Sequence, residues 1–149
     1  MPKALKTQYF LASAYTALGL LSGLFYREFT KLNDHPGGTQ LAVVHTHWLT
    51  LGAILGLVFL LMEKQFELSV LKKRWTAFVI TYNVGVLLTG TMMIVKGCLQ
   101  VLGNTFADSP MIAGMSGLGH MSVTAGFVLL LLMLGNRIGF FGKASNADV

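Results

Sequence analysis

Three histidines lie within strongly apolar stretches of this chain: His45 and His47 in one stretch and His120 in another. An imidazole ring among apolar side chains needs a hydrogen-bond partner or a metal ion, because an unpaired polar group is costly to bury. Imidazole is a common ligand of transition metals and of haem iron. The three histidines are therefore candidate metal ligands, and iron in b-type haem is the metal that the pattern favours.

The elements that must position these histidines are predicted from the distribution of charge. Only 11% of the residues are charged, against about 25% in ordinary soluble proteins. Four charge-free segments are each long enough to cross a bilayer, and backbone that faces lipid must be helical. The predicted helices span about 8–26, 39–62, 75–97 and 110–136. The sequence thus predicts an all-α integral membrane protein, a four-helix bundle that forms a single domain over 1–149.

Basic residues are distributed unequally between the two ends of the predicted bundle. Eight lie at the N-terminus, in the second loop or at the C-terminus, and three lie on the opposite side. This asymmetry follows the positive-inside rule and predicts that both termini are cytoplasmic. The net charge of +5 is then a consequence of topology, so the lipid bilayer is the expected partner and no nucleic acid is expected.

The depths of the histidines in the bilayer allow a shared site. Residues two apart on an α-helix point about 200° apart, so His45 and His47 cannot bind one metal from the same side. On a regular helix, His47 shares a face with Leu51, Ile54 and Val58, and His45 shares one with Gly52, Gly56 and Phe59. Counted along helices that both run inwards, His47 and His120 lie at similar depths, about 12–15 Å below the helix starts. We expect b-type haem iron between His120 and either His45 or His47, with the remaining histidine at a second haem or a dimer interface.

A bound haem also requires space for its ring and cations for its propionates. Glycines close to the histidines are expected to leave that space, and cations at the outer rim are expected to bind the propionates. The glycines are Gly52, Gly56, Gly114, Gly117 and Gly119. The cations are Arg27, Lys31 and Lys96.

Two further roles are open to the histidines. The first is helix packing, in which nearby hydroxyl groups act as hydrogen-bond partners of the rings. These partners are Thr46, Thr50, Ser116 and Thr124. The second is copper binding, because soft sulfur together with imidazole suits copper. The sulfur ligands would be Met92, Met93, Met111, Met115, Met121 and Cys98.

The rest of the chain is expected to carry no site. His35, in the first loop, is expected to be solvated, as are the charges of the second loop, 63–74. Tyr82, Thr89 and Lys96 recur every seven residues and place a polar stripe on the third helix. None of the four spans contains an acid, which argues against a carboxylate proton relay and against a hydrolase triad.

Five blocks of sequence are distinctive. They are Gly23-Leu-Phe-Tyr-Arg-Glu-Phe-Thr-Lys31, Thr39-Gln-Leu-Ala-Val-Val-His-Thr-His47, Glu63-Lys-Gln-Phe66, Ile80-Thr-Tyr-Asn83 and Gly117-Leu-Gly-His120. Together they resemble a family of small bacterial four-helix membrane proteins of unknown function. The resemblance covers nearly the whole chain and implies the fold and a multi-pass location in the bacterial cytoplasmic membrane. It implies no activity, so whether the protein is an enzyme stays open.

A more distant resemblance concerns the histidines alone. His45-Thr-His47 and His120 resemble the His-x-His pair and the distant histidine of the catalytic subunit of haem–copper oxidases and nitric oxide reductases. This resemblance implies haem binding, but the chain lacks two thirds of that bundle and a three-histidine site for a second metal, which argues against oxygen reduction. We expect electron transfer, or sensing or handling of a diatomic gas, with a homodimer completing the pocket and a redox partner exchanging electrons.

Overall fold

Four long helices form the part of the chain that the computed structural model describes, residues 2–141. All four are long and apolar enough to cross a membrane, and residues 2–141 contain no strand. The helices are α1 (Lys3–Leu32), α2 (Leu41–Phe66), α3 (Lys72–Val101) and α4 (Pro110–Arg137). The prediction of an all-α, multi-pass membrane bundle is therefore confirmed.

The observed helices are longer than the predicted spans at most ends, because a helix continues beyond the residues that the hydrocarbon core requires. The predicted start of α4 is correct. Ser109 caps this helix, since its Oγ accepts a hydrogen bond from the Ile112 backbone N–H at 3.4 Å, and Pro110 follows as the first helical residue. Sequence signals at a helix end thus located it better than hydropathy did.

The helices run up and down in sequence order, so the starts of α1 and α3 lie at the same end as the ends of α2 and α4. We call this the basic end and the opposite one the far end. The residues that define the basic end are Lys3, Lys6, Lys64, Lys72, Lys73, Arg74 and Arg137.

Glycines bring neighbouring helices into close contact. A Cβ atom placed on Gly52 of α2 would lie 2.2 Å from Cγ of Tyr15 of α1, so the tyrosine ring packs directly on the α2 backbone. In the same way, Gly126 of α4 packs against Tyr82 of α3. Small residues at such contacts are typical of helix association in membranes. The two tyrosines thereby fix the α1–α2 and α3–α4 hairpins.

Aromatic rings connect α2, α3 and α4 in the half of the bundle near the basic end. The Phe59 ring of α2 lies 5.2 Å from Phe78 and 5.0 Å from Tyr82 of α3, and 6.5 Å from Phe127 of α4, centroid to centroid. Leu68, in the 3₁₀ turn Leu68–Val70 between α2 and α3, is fully buried. These ring contacts hold α2, α3 and α4 together in this half.

The prediction that the second loop carries only solvated charges is wrong for one residue. Glu63 is 5% exposed, and its Oε2 accepts a hydrogen bond from the Ser69 backbone N–H at 2.9 Å, while Oε1 accepts from the Ser69 hydroxyl. Burial of Leu68 draws the turn inwards, which brings Ser69 to the Glu63 carboxylate. Arg137 of α4 adds an ion pair to Glu67 at 3.3 Å.

Residues Trp48–Ile54 of α2 form a π-helix, which the sequence did not predict. The Leu55 backbone N–H donates to the Thr50 carbonyl, five residues earlier, and the Tyr82 hydroxyl donates to the Leu51 carbonyl at 2.9 Å. A π-helical segment winds more widely than an α-helix, so the residues of α2 before it point in different directions from those that regular α-helical winding would give. π-Helical turns also occur frequently at functional sites. The segment begins directly after His47.

The predicted face of α2 that joined His47 to Ile54 and Val58 is accordingly wrong. Ile54 is 57% exposed and Val58 is 39% exposed, whereas His47 is half-buried against a neighbouring helix. The prediction assumed regular α-helical winding throughout α2, and the π-helical segment removes that regularity.

Candidate functional site

His47 points from α2 to α3, where it meets the buried hydroxyl of Thr89. The His47 Nε2 atom lies 2.8 Å from the Thr89 Oγ1 atom, and Thr89 is 1% exposed. The Thr89 hydroxyl donates to the Gly85 carbonyl at 2.9 Å, so its oxygen is free to accept a hydrogen bond from the ring. This assigns the proton of a neutral His47 to Nε2 and leaves a lone pair on Nδ1.

His120 is exposed on α4, and a hydrogen bond within the helix holds its ring. Its Nδ1 atom lies 2.8 Å from the Ser116 carbonyl oxygen. A carbonyl only accepts, so Nδ1 carries the proton and Nε2 carries the lone pair. Hydrogen bonding of Nδ1–H to a backbone carbonyl is a common way for proteins to orient a histidine whose Nε2 binds a metal.

His47 and the residue next to His120 contact the same threonine, Thr89. Gly119, next to His120 on α4, packs on the Thr89 side chain, because a Cβ placed on this glycine would lie 2.5 Å from the threonine Cγ2. We refer to His47 and His120 as the His47–His120 pair. Of the two histidines in α2, His47 is thus the one that the fold directs towards α3 and α4.

His45 lies on a different side of α2, against α1. A Cβ placed on Gly23 of α1 would lie 3.6 Å from the His45 Cβ and 3.8 Å from its Cγ. The His45 Nδ1 atom is buried and has no hydrogen-bond partner within residues 2–141. His45 and His47 therefore serve different contacts, and nothing in their placement makes them a chelating pair.

The glycines of the predicted haem space have two different environments. Gly52 and Gly56 of α2 face α1, where a Cβ would meet Tyr15 at 2.2 Å and Ala12 at 3.1 Å. Gly114 and Gly117 of α4 have no neighbouring atom within 4 Å of a Cβ position. Open space therefore lies beside α4, close to His120, whereas α1 occupies the space beside Gly52.

The three predicted propionate partners all lie near the far end, and two of them have acidic neighbours. The Lys96 Nζ is 3.6 Å from the Asp108 Oδ1, and the Arg27 Nε is 3.3 Å from the Glu28 Oε1. Lys31 lines a shallow depression of about 360 Å³ together with Thr30, Asp34, His35 and Pro36. Any anion at this end would compete with these carboxylates for Arg27 and Lys96.

The His, Cys, Asp and Glu side chains of residues 2–141 form no group of three or more that could hold a metal ion. The candidate sulfur ligands are also spread out: Met111 and Met121 are exposed on α4, whereas Cys98 is half-buried on α3. A metal site built from this single chain would therefore rest on the His47–His120 pair rather than on all three histidines.

Thr89 is the site residue that sequence reasoning missed. It belongs to the polar stripe of α3, which was the available signal, but the stripe alone did not indicate which histidine it faces. Two of the hydroxyls expected to satisfy the histidines bond elsewhere: Thr46 donates to the Val43 carbonyl at 2.8 Å, and Thr124 donates to the His120 backbone carbonyl at 2.9 Å. The partner of His47 came from a different helix.

Comparison with known proteins gives a family but no activity. The profile of a family described as "Protein of unknown function (DUF2871)" matches residues 5–137. No curated protein and no solved structure matches the chain. The expected membership in a family of unknown function is confirmed, and the resemblance to haem–copper oxidases gains no support from these comparisons.

Proposed function

We propose a function from geometry, because the chain belongs to DUF2871, a family described only as a protein of unknown function. The function is binding of b-type haem within the membrane by His120 and His47, for electron transfer or for sensing or handling a diatomic gas. One observation carries the proposal: the Ser116 carbonyl holds His120 Nδ1–H at 2.8 Å, which leaves the Nε2 lone pair available to iron. The iron would supply the chemistry, and the chain would supply ligation and burial.

His47 is the second ligand in this proposal. It lies on a different helix from His120, and both helices contact Thr89, through the His47 ring and through Gly119. A single hydrogen bond to Thr89 Oγ1 holds its Nε2 atom. A neutral hydrogen bond contributes about 1 kcal/mol, so releasing the ring costs little beside the ~10 kcal/mol or more with which structural zinc sites bind their ion. Rotation of the ring, or use of Nδ1, then gives a second imidazole ligand.

A second copy of the chain fits the exposure of this site. His120, Gly114 and Gly117 are all exposed on the outer side of α4, so a single chain would leave one side of a bound haem uncovered. A homodimer that packs α4 against α4 would enclose the ring. Lys96, near the far end of α3, the helix that packs against α4, would then be the cation available to the propionates, and a redox partner would approach from the same end.

The His47–Thr89 bond also favours an alternative class, a non-enzymatic membrane protein. In that case the bond is complete as it stands and serves to hold α2 against α3. Copper binding belongs to the same class, with His120 and the exposed Met121 next to it as ligands. These alternatives predict no haem spectrum, which separates them from the main proposal.

An absorption spectrum of the purified protein tests the proposal. The protein is expressed with ample haem, purified in detergent, and assayed by its Soret band and by the pyridine haemochromogen reaction. We expect bound haem with a low-spin spectrum that His120→Ala abolishes and that His35→Ala, a histidine in the first loop, leaves unchanged. Absence of haem together with copper by elemental analysis would establish the copper alternative, and absence of both metals would establish the structural one.

A further inference from the structure

A cavity of about 470 Å³ lies at the basic end, between the first turns of α1 and α3. It is remote from the His47–His120 pair, because Lys72 and Thr89 are 17 residues, or roughly 25 Å, apart along α3. Its volume is within the ~300–1,000 Å³ of typical small-molecule sites. Its lining includes Lys3, Thr7, Ser69, Lys72, Val79 and Ile80.

Positive charge converges on one side of this cavity. Lys3 and Lys72 are both exposed and both belong to its lining. They are also the first residues of α1 and α3, and neither helix has a side-chain cap or an acid in its first turn. Helix N-termini carry partial positive charge and unpaired N–H groups, which adds to the attraction that the two lysines exert on an anion.

The acid behind the cavity wall is already engaged. Glu63 is buried, and Ser69, which lines the cavity, donates both its backbone N–H and its hydroxyl to the Glu63 carboxylate. The hydroxyl of Thr7 and the Ser69 side chain therefore form the polar part of the wall. A negatively charged group near Lys3 and Lys72 would meet this wall rather than an exposed carboxylate.

The other side of the cavity is apolar and opens along α3. Trp75 is buried at its base, and beyond it Val79 and Ile80 continue the lining, with Ile80 57% exposed. Both residues lie within the span that is apolar enough to cross a membrane. The cavity thus has a cationic part at the membrane surface and an apolar part that leads into the bilayer, which matches an amphiphile better than a soluble anion.

We propose that this cavity binds one anionic phospholipid, with its headgroup phosphate between Lys3 and Lys72 and its acyl chains along Val79 and Ile80. Basic pockets between membrane helices are known to take anionic lipid headgroups. The bound lipid connects the first turns of α1 and α3, and so it stabilises the pairing of two helices that are not adjacent in sequence.

Titration of the detergent-purified protein with phosphatidylglycerol or phosphatidylcholine, read by native mass spectrometry, tests this proposal. The wild-type protein is expected to retain one phosphatidylglycerol and to prefer it to phosphatidylcholine. The double variant Lys3→Gln/Lys72→Gln should bind phosphatidylglycerol about thirtyfold more weakly, as expected for two lysines near a membrane surface. The matched control is Lys6→Gln/Lys73→Gln, which changes the same charge at neighbouring positions outside the cavity and should lose less than about threefold.

A second variant separates the cavity from the charge. Ala4 also lines the cavity, so Ala4→Trp fills the space and keeps both lysines, and it should also abolish selective retention. Equal losses in the two double variants, equal binding of both lipids, or displacement of phosphatidylglycerol by millimolar inorganic phosphate would each overturn the lipid assignment. The haem spectrum is an independent readout, because the cavity and the His47–His120 pair share no residue.

Discussion

The two histidines of α2, His45 and His47, lie on different sides of the helix and have different neighbours. His45 faces α1, where a Cβ placed on Gly23 would lie 3.6 Å from its own Cβ, and its buried Nδ1 has no hydrogen-bond partner in the described chain. His47, two residues later, faces α3, where its Nε2 atom lies 2.8 Å from the Thr89 hydroxyl oxygen. The availability of a polar ring in a membrane helix thus depends on how closely the neighbouring backbone approaches.

The closeness of α1 explains why the first side offers no site. Tyr15 stacks on Trp48 with ring centroids 5.6 Å apart and donates its hydroxyl to the Asn83 Oδ1 of α3 at 2.9 Å. This contact fills the centre of the bundle between α1, α2 and α3. On the other side, α4 touches α3 through glycines and leaves His120 exposed. The side of α2 that faces α1 serves helix packing. A ligand atom, Nε2 of His120, is accessible only on the side of α3 and α4.

The largest expected effect is on the haem spectrum. His47→Ala should abolish the low-spin spectrum, because it removes an iron ligand, whereas His45→Ala should preserve it, because His45 faces α1. The measurement is the absorption spectrum of each purified variant at equal haem loading. If His45→Ala abolished the spectrum and His47→Ala preserved it, the assignment of the two sides of α2 would be reversed.

The next largest effect concerns helix packing. Gly52→Ala should destabilise the protein by about 3 kcal/mol, the upper part of the usual range for overpacking, because the new Cβ would lie 2.2 Å from the Tyr15 ring. Gly117→Ala is the matched control, since its Cβ would meet no atom within 4 Å. That variant should be neutral or more stable by up to about 1 kcal/mol through helix propensity. Thermal unfolding in detergent measures both, and equal melting temperatures would contradict the close contact.

The smallest effect is expected at the His47–Thr89 bond. Thr89→Val keeps the shape of the side chain but leaves the His47 Nε2–H without an acceptor, which should cost about 1–3 kcal/mol. Thr81→Val is the control on the same helix, because the Thr81 hydroxyl donates to carbonyls of α3 itself. The free energies of unfolding of the two variants should differ by about 1–3 kcal/mol. A cost that is the same for both would show that His47 gains nothing from Thr89.

Much of the fold was predictable from the sequence because lipid imposes simple requirements. Four charge-free segments of sufficient length predicted four helices, and Ser109-Pro110 predicted where α4 begins. The buried Glu63 was not predictable, since its burial depends on the path of a short turn and on Leu68. Charge usually indicates exposure, and only the folded turn shows the two hydrogen bonds from Ser69 that make burial of a carboxylate tolerable.

The sequence predicted similar depths for two of the candidate ligands, but it did not predict the direction in which each histidine side chain points. Counting residues along two parallel helices placed His47 and His120 at similar heights. The side of α2 on which each histidine lies depends on rotation about the helix axis, and the π-helical segment Trp48–Ile54 changes that rotation. This segment depends on tertiary contacts such as the Tyr82 hydroxyl on the Leu51 carbonyl, which no hydropathy pattern records. Thr89 could be identified as the partner of His47 only in three dimensions.

The π-helical segment of α2 is also the place where the helix can lose one residue with the least change. A π-helical turn accommodates one residue more than an α-helical turn, so loss of a single residue within Trp48–Ile54 would restore regular winding without shortening the span appreciably. Composition and hydropathy would barely change. The portions of α2 on either side would keep nearly the same rotation relative to each other, because the residue removed is the extra one of the π-helical turn, and His47 would stay beside Thr89. A deletion in the regular α-helical part of α2 would instead turn the two portions by about 100° relative to each other.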